Sequence, residues 1–280
     1  MPLPSRLGMG FSGIPLCVCK AVSICYRMMT ISSAHYGSCW GECQVGKRPY
    51  SLNSFQLKTI ASALMVLDHL RQFIPAMPLW FRYLGRVVAP VFFFLTVEGF
   101  FHTRSRPKYV ARLLGAGIIM AVGSGILKHL FPTDITWHNN IFFSLGLGVA
   151  LMSACEQVRE TENPLLGVPH ILILSIAMLF TEASIYGLMM SLTFYLFRGK
   201  SGLLALFYTI GSLMPSLLGP LTLQQLFIHD YQWMMVFALP FFLAYNGELG
   251  RGGPSAKWFF YVFYPAHLWI IYLISYKASF

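Results

Sequence analysis

An acid and an imidazole stand side by side inside an apolar helix. In LKTIASALMVLDHLR (57–71), Asp68 and His69 come about two-thirds of the way along a run otherwise dominated by Leu, Ile, Ala and Met. A helix rises roughly 18 Å from Leu57 to His69, which puts the pair near the middle of a hydrocarbon layer roughly 30 Å thick. An ionisable side chain there costs on the order of 2.5–3.5 kcal/mol unless it faces a protein interior or a wet cavity. Two readings meet that cost. In one, a neutral His69 is hydrogen-bonded across helices while Asp68 pairs with Arg71 one turn on. In the other, His69 is a catalytic imidazole in a membrane-embedded cavity. Adjacent helical residues project about 100° apart, so Asp68 and His69 do not share a face, and an orienting partner for His69 is expected from another helix.

Other polar residues sit where apolar ones would be cheaper. Arg86 and Glu98 occupy one apolar run, LGRVVAPVFFFLTVEGFFHT (84–103). Lying roughly 18 Å apart on a straight helix, they cannot pair with each other. Arg86 reads as a side chain that snorkels at the outer end, and Glu98 as an interhelical bond or a functional acid. Asn139 and Asn140 open another run after Pro132, Asp134 and His138; helix capping accounts for one and a substrate-facing amide for the other. In KWFFYVFYPAHLWIIY (257–272), Pro265 precedes His267. A proline bends a helix and frees a carbonyl, so it can aim Tyr264 and His267 at a cavity.

These residues require elements that cross a membrane. The 280-residue chain is 56% hydrophobic and only 11% charged, with mean hydropathy +0.61. A soluble domain devotes about a quarter of its residues to charge, so the chain reads as a polytopic membrane protein. The net charge of +10 comes with no basic stripe on a soluble fold. Nucleic acid is therefore not an expected partner, and a positive-inside bias explains the excess. From Phe55 onward, apolar runs alternate with short breaks at about 55–75, 83–103, 108–131, 138–157, 165–182, 184–198, 201–219, 231–246 and 257–276. The expected fold is all-α, a polytopic transmembrane helix bundle of about nine spans, eight to ten. The fifth and sixth runs are short enough to be a broken pair or a re-entrant feature. Clusters such as Arg104, Arg106, Lys108 and Arg112 fall on one side when the N-terminus is cytoplasmic, which sets the orientation. Small residues in GAGIIMAVGSG (115–125) predict close helix packing.

Residues 1–50 differ: they read as a poorly ordered leader, with Met28 and Met29 as possible later starts, outside the domain at 51–280. Five of the six cysteines lie there in no zinc-binding spacing, so no metal is expected.

The blocks LKTIASALMVLDHL (57–70), LGRVVAPVFFFLTVEGFFHTRSRPKYVARL (84–113), NNIFFSLGLG (139–148), IYGLMMSLTFYLFRG (185–199), YNGELG (245–250) and KWFFYVFYPAHLWIIYLI (257–274) resemble the TraX family. The combination is specific: Asp-His in the first run, Gly-Arg-x-x-x-Pro opening the second, and Tyr-Pro-x-His-Leu in the last. The leader matches nothing in the family. TraX is named for a conjugation protein implicated in N-terminal acetylation of pilin. It resembles, more distantly, polytopic acyltransferases that move acyl groups from cytosolic acyl-CoA to acceptors at the membrane.

The resemblance implies a multi-pass protein of the inner, cytoplasmic membrane that transfers acetyl from acetyl-CoA, as co-substrate, to an amine or hydroxyl. The acceptor would be a pilin N-terminus or a surface glycan or polymer. Such transfer needs a base and an oxyanion donor. His69 is the candidate base, with Asp68 and His267 in the catalytic group, His267 or Tyr264 orienting it or donating to the oxyanion. Arg86, Glu98, Asn139, Asn140, Tyr245, Asn246, Lys257 and Tyr264 are the candidate substrate- or cofactor-binding residues. Basic residues at the cytoplasmic ends, chiefly Arg104, Arg106, Lys108, Arg112 and Lys257, suit the phosphates of coenzyme A. The alternative is a transporter using His69, Glu98 and His267 as a proton or substrate relay.

Overall fold

A computed structural model describes residues 51–133, 139–161, 164–220, 222–250 and 254–278. The expectations for the leader at 1–50, for Asp134, His138 and Arg251, and for the side chain of Lys257 lie outside the described residues. The described chain is helical throughout, with one isolated bridge pairing Leu52 and Tyr245 in place of any sheet.

Each apolar run has become a helical segment. In order they are α1 (Ser54–Phe73), α2 (Trp80–Gly85), α3 (Val88–His102), α4 (Arg106–Leu130), α5 (Ile141–Thr161), α6 (Pro164–Leu179), α7 (Ser184–Leu196) and α8 (Ser201–Leu217). A π-turn (Gln225–His229) and a 3-10 segment (Gln232–Ala238) lead into α9 (Leu239–Ala244), and α10 (Pro254–Ala278) closes the chain. Four stretches are long and apolar enough to cross a membrane by length and composition: Trp80–His102, Arg106–Leu130, Ile141–Thr161 and Trp258–Ala278. The chain is thus a polytopic helix bundle. The fifth and sixth runs form helices of 16 and 13 residues, at 1.5 Å per residue shorter than a bilayer core. The eighth run splits between 3-10 and α geometry.

The caps show why α1 starts and stops where it does. The Asn53 side chain accepts from the Gln56 N–H at 2.9 Å while the Gln56 side chain accepts from the Asn53 N–H at 3.0 Å, a reciprocal capping box. Ile74 leaves the helix in extended geometry just before Pro75, which disfavours helix at the residue ahead of it. α1 packs on α2, α3 and α10, while α5 packs on α3, α4, α6 and α7. Between them an aromatic core forms, with Phe94, Phe194, Tyr208 and Phe242 within 5.6 Å of one another, centroid to centroid, in successive pairs. On α4, Gly117 approaches Phe143 and Gly123 approaches Trp269, as the small-residue run predicts, but Gly115 and Gly125 face open space. Its opposite face exposes Ile118, Ile119, Val122 and Ile126, which suits lipid rather than a further helix.

The run YNGELG serves first as a clamp on the start of α1. Leu52 N–H donates to the Ala244 carbonyl at 2.8 Å and Asn246 N–H to the Leu52 carbonyl at 3.0 Å, and Ser54 N–H reaches Glu248 at 2.9 Å. The Asn246 side chain is taken up within this turn, accepting from the Glu248 N–H at 2.9 Å and donating to its carboxylate at 3.3 Å. Asn246, expected to bind substrate, thus has its side chain engaged within this turn.

Candidate functional site

Asp68 does not pair with Arg71. Its carboxylate takes Arg86 Nη2 at 3.1 and 3.3 Å and Arg82 Nη1 at 3.4 Å, both from the segment after α1, and Arg71 turns to the Pro75 carbonyl. The expectation of a snorkelling Arg86 is overturned by the same contact. Its guanidinium also donates to Gln232 Oε1 at 3.1 Å and to the Arg82 carbonyl at 3.3 Å, and it lies over the Tyr231 ring. The local reason is Gly85: a Cβ there would sit 2.4 Å from Asp68 Cβ, so only glycine lets α2 come close enough for the two arginines to reach.

His69 faces elsewhere, as helical geometry requires. Its Nδ1 is 3.1 Å from Gln72 Oε1, one turn on, and 3.4 Å from Asn139 Nδ2. Gln72 and Asn139 bond each other twice, Nε2 to Oδ1 at 2.9 Å and Nδ2 to Oε1 at 3.0 Å. The orienting contacts therefore come from α1 itself as well as from the start of α5. The His267 ring lies 5.2 Å from that of His69 and the Tyr264 ring 6.4 Å from it, so the final helix, with Pro265 inside it, does deliver both residues to His69. His267 Nδ1 donates to the Phe263 carbonyl at 2.8 Å, and its buried Nε2 has no hydrogen-bond partner. A neutral ring with its proton on Nδ1 carries a lone pair on Nε2. His267 in that form accepts, and cannot donate to an oxyanion.

Two cavities meet at this cluster. A small chamber of about 170 Å³ is lined by Asp68, His69, Arg86, Gln232, Glu182 and Tyr264, among others. A larger vestibule of about 470 Å³ extends along α1 from Ser54 and Lys58 and includes Glu98, Arg112 and Tyr245. Met65, Phe92, Ile141 and Tyr264 line both, so the two spaces abut at these four residues. Glu182, in the turn between α6 and α7, also lines a third, lateral pocket with Asn139, Asn140 and Lys128.

The remaining expected residues divide between these spaces. Glu98 borders the vestibule, and both its oxygens accept from Arg198, just past the end of α7, at 2.9 and 3.1 Å. Tyr245 lines the vestibule and packs edge-on against Phe94. Asn140 donates its backbone N–H to Glu182 at 2.6 Å and its side chain to the Gly117 carbonyl at 2.9 Å, so both asparagines bind neighbouring elements. Of the basic cluster, Arg112 reaches the vestibule, bonded through Nε to the Tyr261 hydroxyl at 3.2 Å. Arg106 pairs with Glu160, and Arg104 and Lys108 are exposed.

A family model described as TraX protein matches residues 54–275, beginning at the first residue of α1 and ending inside α10. The chain belongs to the TraX family. Among curated proteins, this TraX member is 29% identical over 251 residues to "Probable fimbrial assembly protein FimC, serogroup H1" of Dichelobacter nodosus, covering 79% of the chain and 95% of that relative. No solved structure matches it. The TraX match spans every helix that contributes to the chamber.

The contributors absent from the expectations include Gln72, Glu182 and Gln232. Gln72 carried a signal, since it stands three residues after His69 on the same helix, where side chains meet. Glu182 and Gln232 carried none, because each sits in or beside a turn and reaches the chamber only through tertiary packing.

Proposed function

We propose that this TraX protein is a membrane acetyltransferase that moves acetyl from cytosolic acetyl-CoA to an amine or hydroxyl acceptor. The observation that carries the reading is the position of His69: a buried imidazole (4% exposed) held through Nδ1 at the wall of a chamber that abuts a long, largely apolar vestibule. In this reading the vestibule takes the pantetheine arm, Arg112 and Lys58 meet the nucleotide phosphates, and the thioester reaches the chamber past Met65 and Phe92. His69 Nε2 removes the acceptor's proton as its nitrogen or oxygen attacks the thioester carbonyl carbon. The new C–N or C–O bond forms, negative charge develops on the carbonyl oxygen, and Arg86, with five N–H donors and a place on the chamber wall, supports it. Collapse breaks the C–S bond, and the imidazolium returns its proton to the leaving thiolate.

The fimbrial assembly role in the relative's name and the family resemblance favour a pilin subunit as acceptor. A positive-inside arrangement with a cytoplasmic N-terminus in the cytoplasmic membrane puts the vestibule mouth, with Lys58 and Arg112, on the side where acetyl-CoA is present. Purified protein in lipid nanodiscs, given acetyl-CoA and a pilin-derived acceptor, should release free thiol in proportion to acetylated product. Movement of labelled solute across vesicles without thiol release would replace this reading with transport.

A further inference from the structure

Gln72 and Asn139 form a closed amide pair, and His69 Nδ1 abuts it, nearest to Gln72 Oε1. Gln72 Oε1 receives Asn139 Nδ2 at 3.0 Å and lies 3.1 Å from His69 Nδ1. Gln72 Nε2 is occupied by Asn139 Oδ1 at 2.9 Å. Because the two amides bond reciprocally, they can turn only together. As the pair stands, the oxygen of Gln72 is the nearer atom to Nδ1, at 3.1 Å against 3.4 Å for Asn139 Nδ2, and an oxygen accepts only from N–H. We infer that Gln72, held by Asn139, is a positioning residue that fixes the proton of His69 on Nδ1 and leaves the lone pair on Nε2. Gln72 thus does the work that a carboxylate does in a Ser-His-Asp triad, but with an uncharged group, which avoids burying a second anion one turn from Asp68.

The consequence for rate rests on the acetyltransferase reading; the tautomer does not. His69 has a neighbour with matching habits, since His267 also carries its proton on Nδ1 through the Phe263 carbonyl. Both rings then present lone pairs at Nε2, and neither neutral ring satisfies the other. The proton released by an acceptor is the charge this arrangement lacks.

The test is nitrogen-15 NMR of histidine-labelled protein in nanodiscs, with His69 assigned by the signals lost in His69→Gln. The wild-type ring should show a protonated Nδ1 and an unprotonated Nε2. Gln72→Leu should lower the ratio of the two tautomers about threefold to tenfold, the equilibrium weight of one hydrogen bond, and lower kcat by a similar factor with KM unchanged. Gln72→Glu keeps an acceptor opposite Nδ1 and an oxygen for Asn139 Nδ2, so it should retain the tautomer and most of the turnover. A wild-type ring protonated on Nε2, or a Glu variant that behaves like the Leu variant, overturns the inference. If the tautomer follows Gln72 as described while no variant releases thiol, the lock stands and acyl transfer falls. If thiol release depends on His69 but the proton sits on Nε2, acyl transfer stands and the lock falls.

Discussion

Asp68 and His69 are neighbours in the chain and open two unlike regions of the molecule. On the Asp68 side everything is charge: one carboxylate, two guanidinium groups, and a glycine that lets them meet. On the His69 side the ring is held by amides, with a second imidazole and a phenol beside it. A compensated ion pair gains little and loses much when one member is removed, because the survivor stays desolvated. A ring held by uncharged groups costs less to bury and keeps one nitrogen free for proton transfer. The charged region holds α1 against α2 and sets the place of Arg86 on the chamber wall, and the other region holds the base.

Breaking the pairing on either side tests this division. His69→Gln should lower acetyl transfer about 10²–10⁴-fold, the usual contribution of a general base, with protein still reaching the membrane in near-normal amounts; retention of more than about a tenth of turnover would remove His69 from the base role. Asp68→Ala should act through stability. It leaves two partly buried guanidinium groups without their anion, costing about 3 kcal/mol, seen as an earlier melting transition by fluorescence-detected size exclusion. A variant that melts like wild type but loses all transfer would make Asp68 part of the chemistry and erase the contrast.

Gly85→Ala asks the same question through sterics. Its Cβ would collide with Asp68, and overpacking of this kind costs about 1–3 kcal/mol, with a matching fall in melting temperature and no specific change in KM. The smallest effect is expected from Glu98→Gln. Arg198 is 38% exposed there, and an ion pair with one solvated partner contributes about 0–1 kcal/mol. A large loss of transfer in that variant with unaltered melting would reinstate Glu98 as a working acid in the vestibule.

Much of the fold could be read from apolar runs, because a helix in lipid must satisfy its own backbone and does so over a characteristic length. Each of the nine runs is helical, the second and eighth in two pieces, and the short ones were visible as short. The site was legible where a polar residue interrupted an apolar run: His69, His267, Tyr264 and Asn139 do converge. Partnership was harder to read. Arg71 stood at the right spacing for Asp68, yet Arg82 and Arg86 hold it, since a chain reversal at Pro75 and Pro78 brings a glycine to its side, and sequence spacing registers neither. The Asn246 side chain bonds Glu248 two residues on, while its backbone N–H reaches Leu52, far away in the chain. Gln72 passed as an ordinary polar residue at a helix end.

The clamp between the Leu52 strand and the turn after α9 has a consequence for biosynthesis. Those backbone bonds join Leu52 to a segment made long after it, and His69 likewise meets its ring partners only when α10 exists. Helix α1 is therefore made before those rings exist, although Arg82 and Arg86 follow close behind Asp68 and Gln72 travels on α1 itself. An arrested nascent chain lacking α10 would hold the histidine and its amides but not Tyr264 and His267, so competence should appear only once α10 has closed on the first helix.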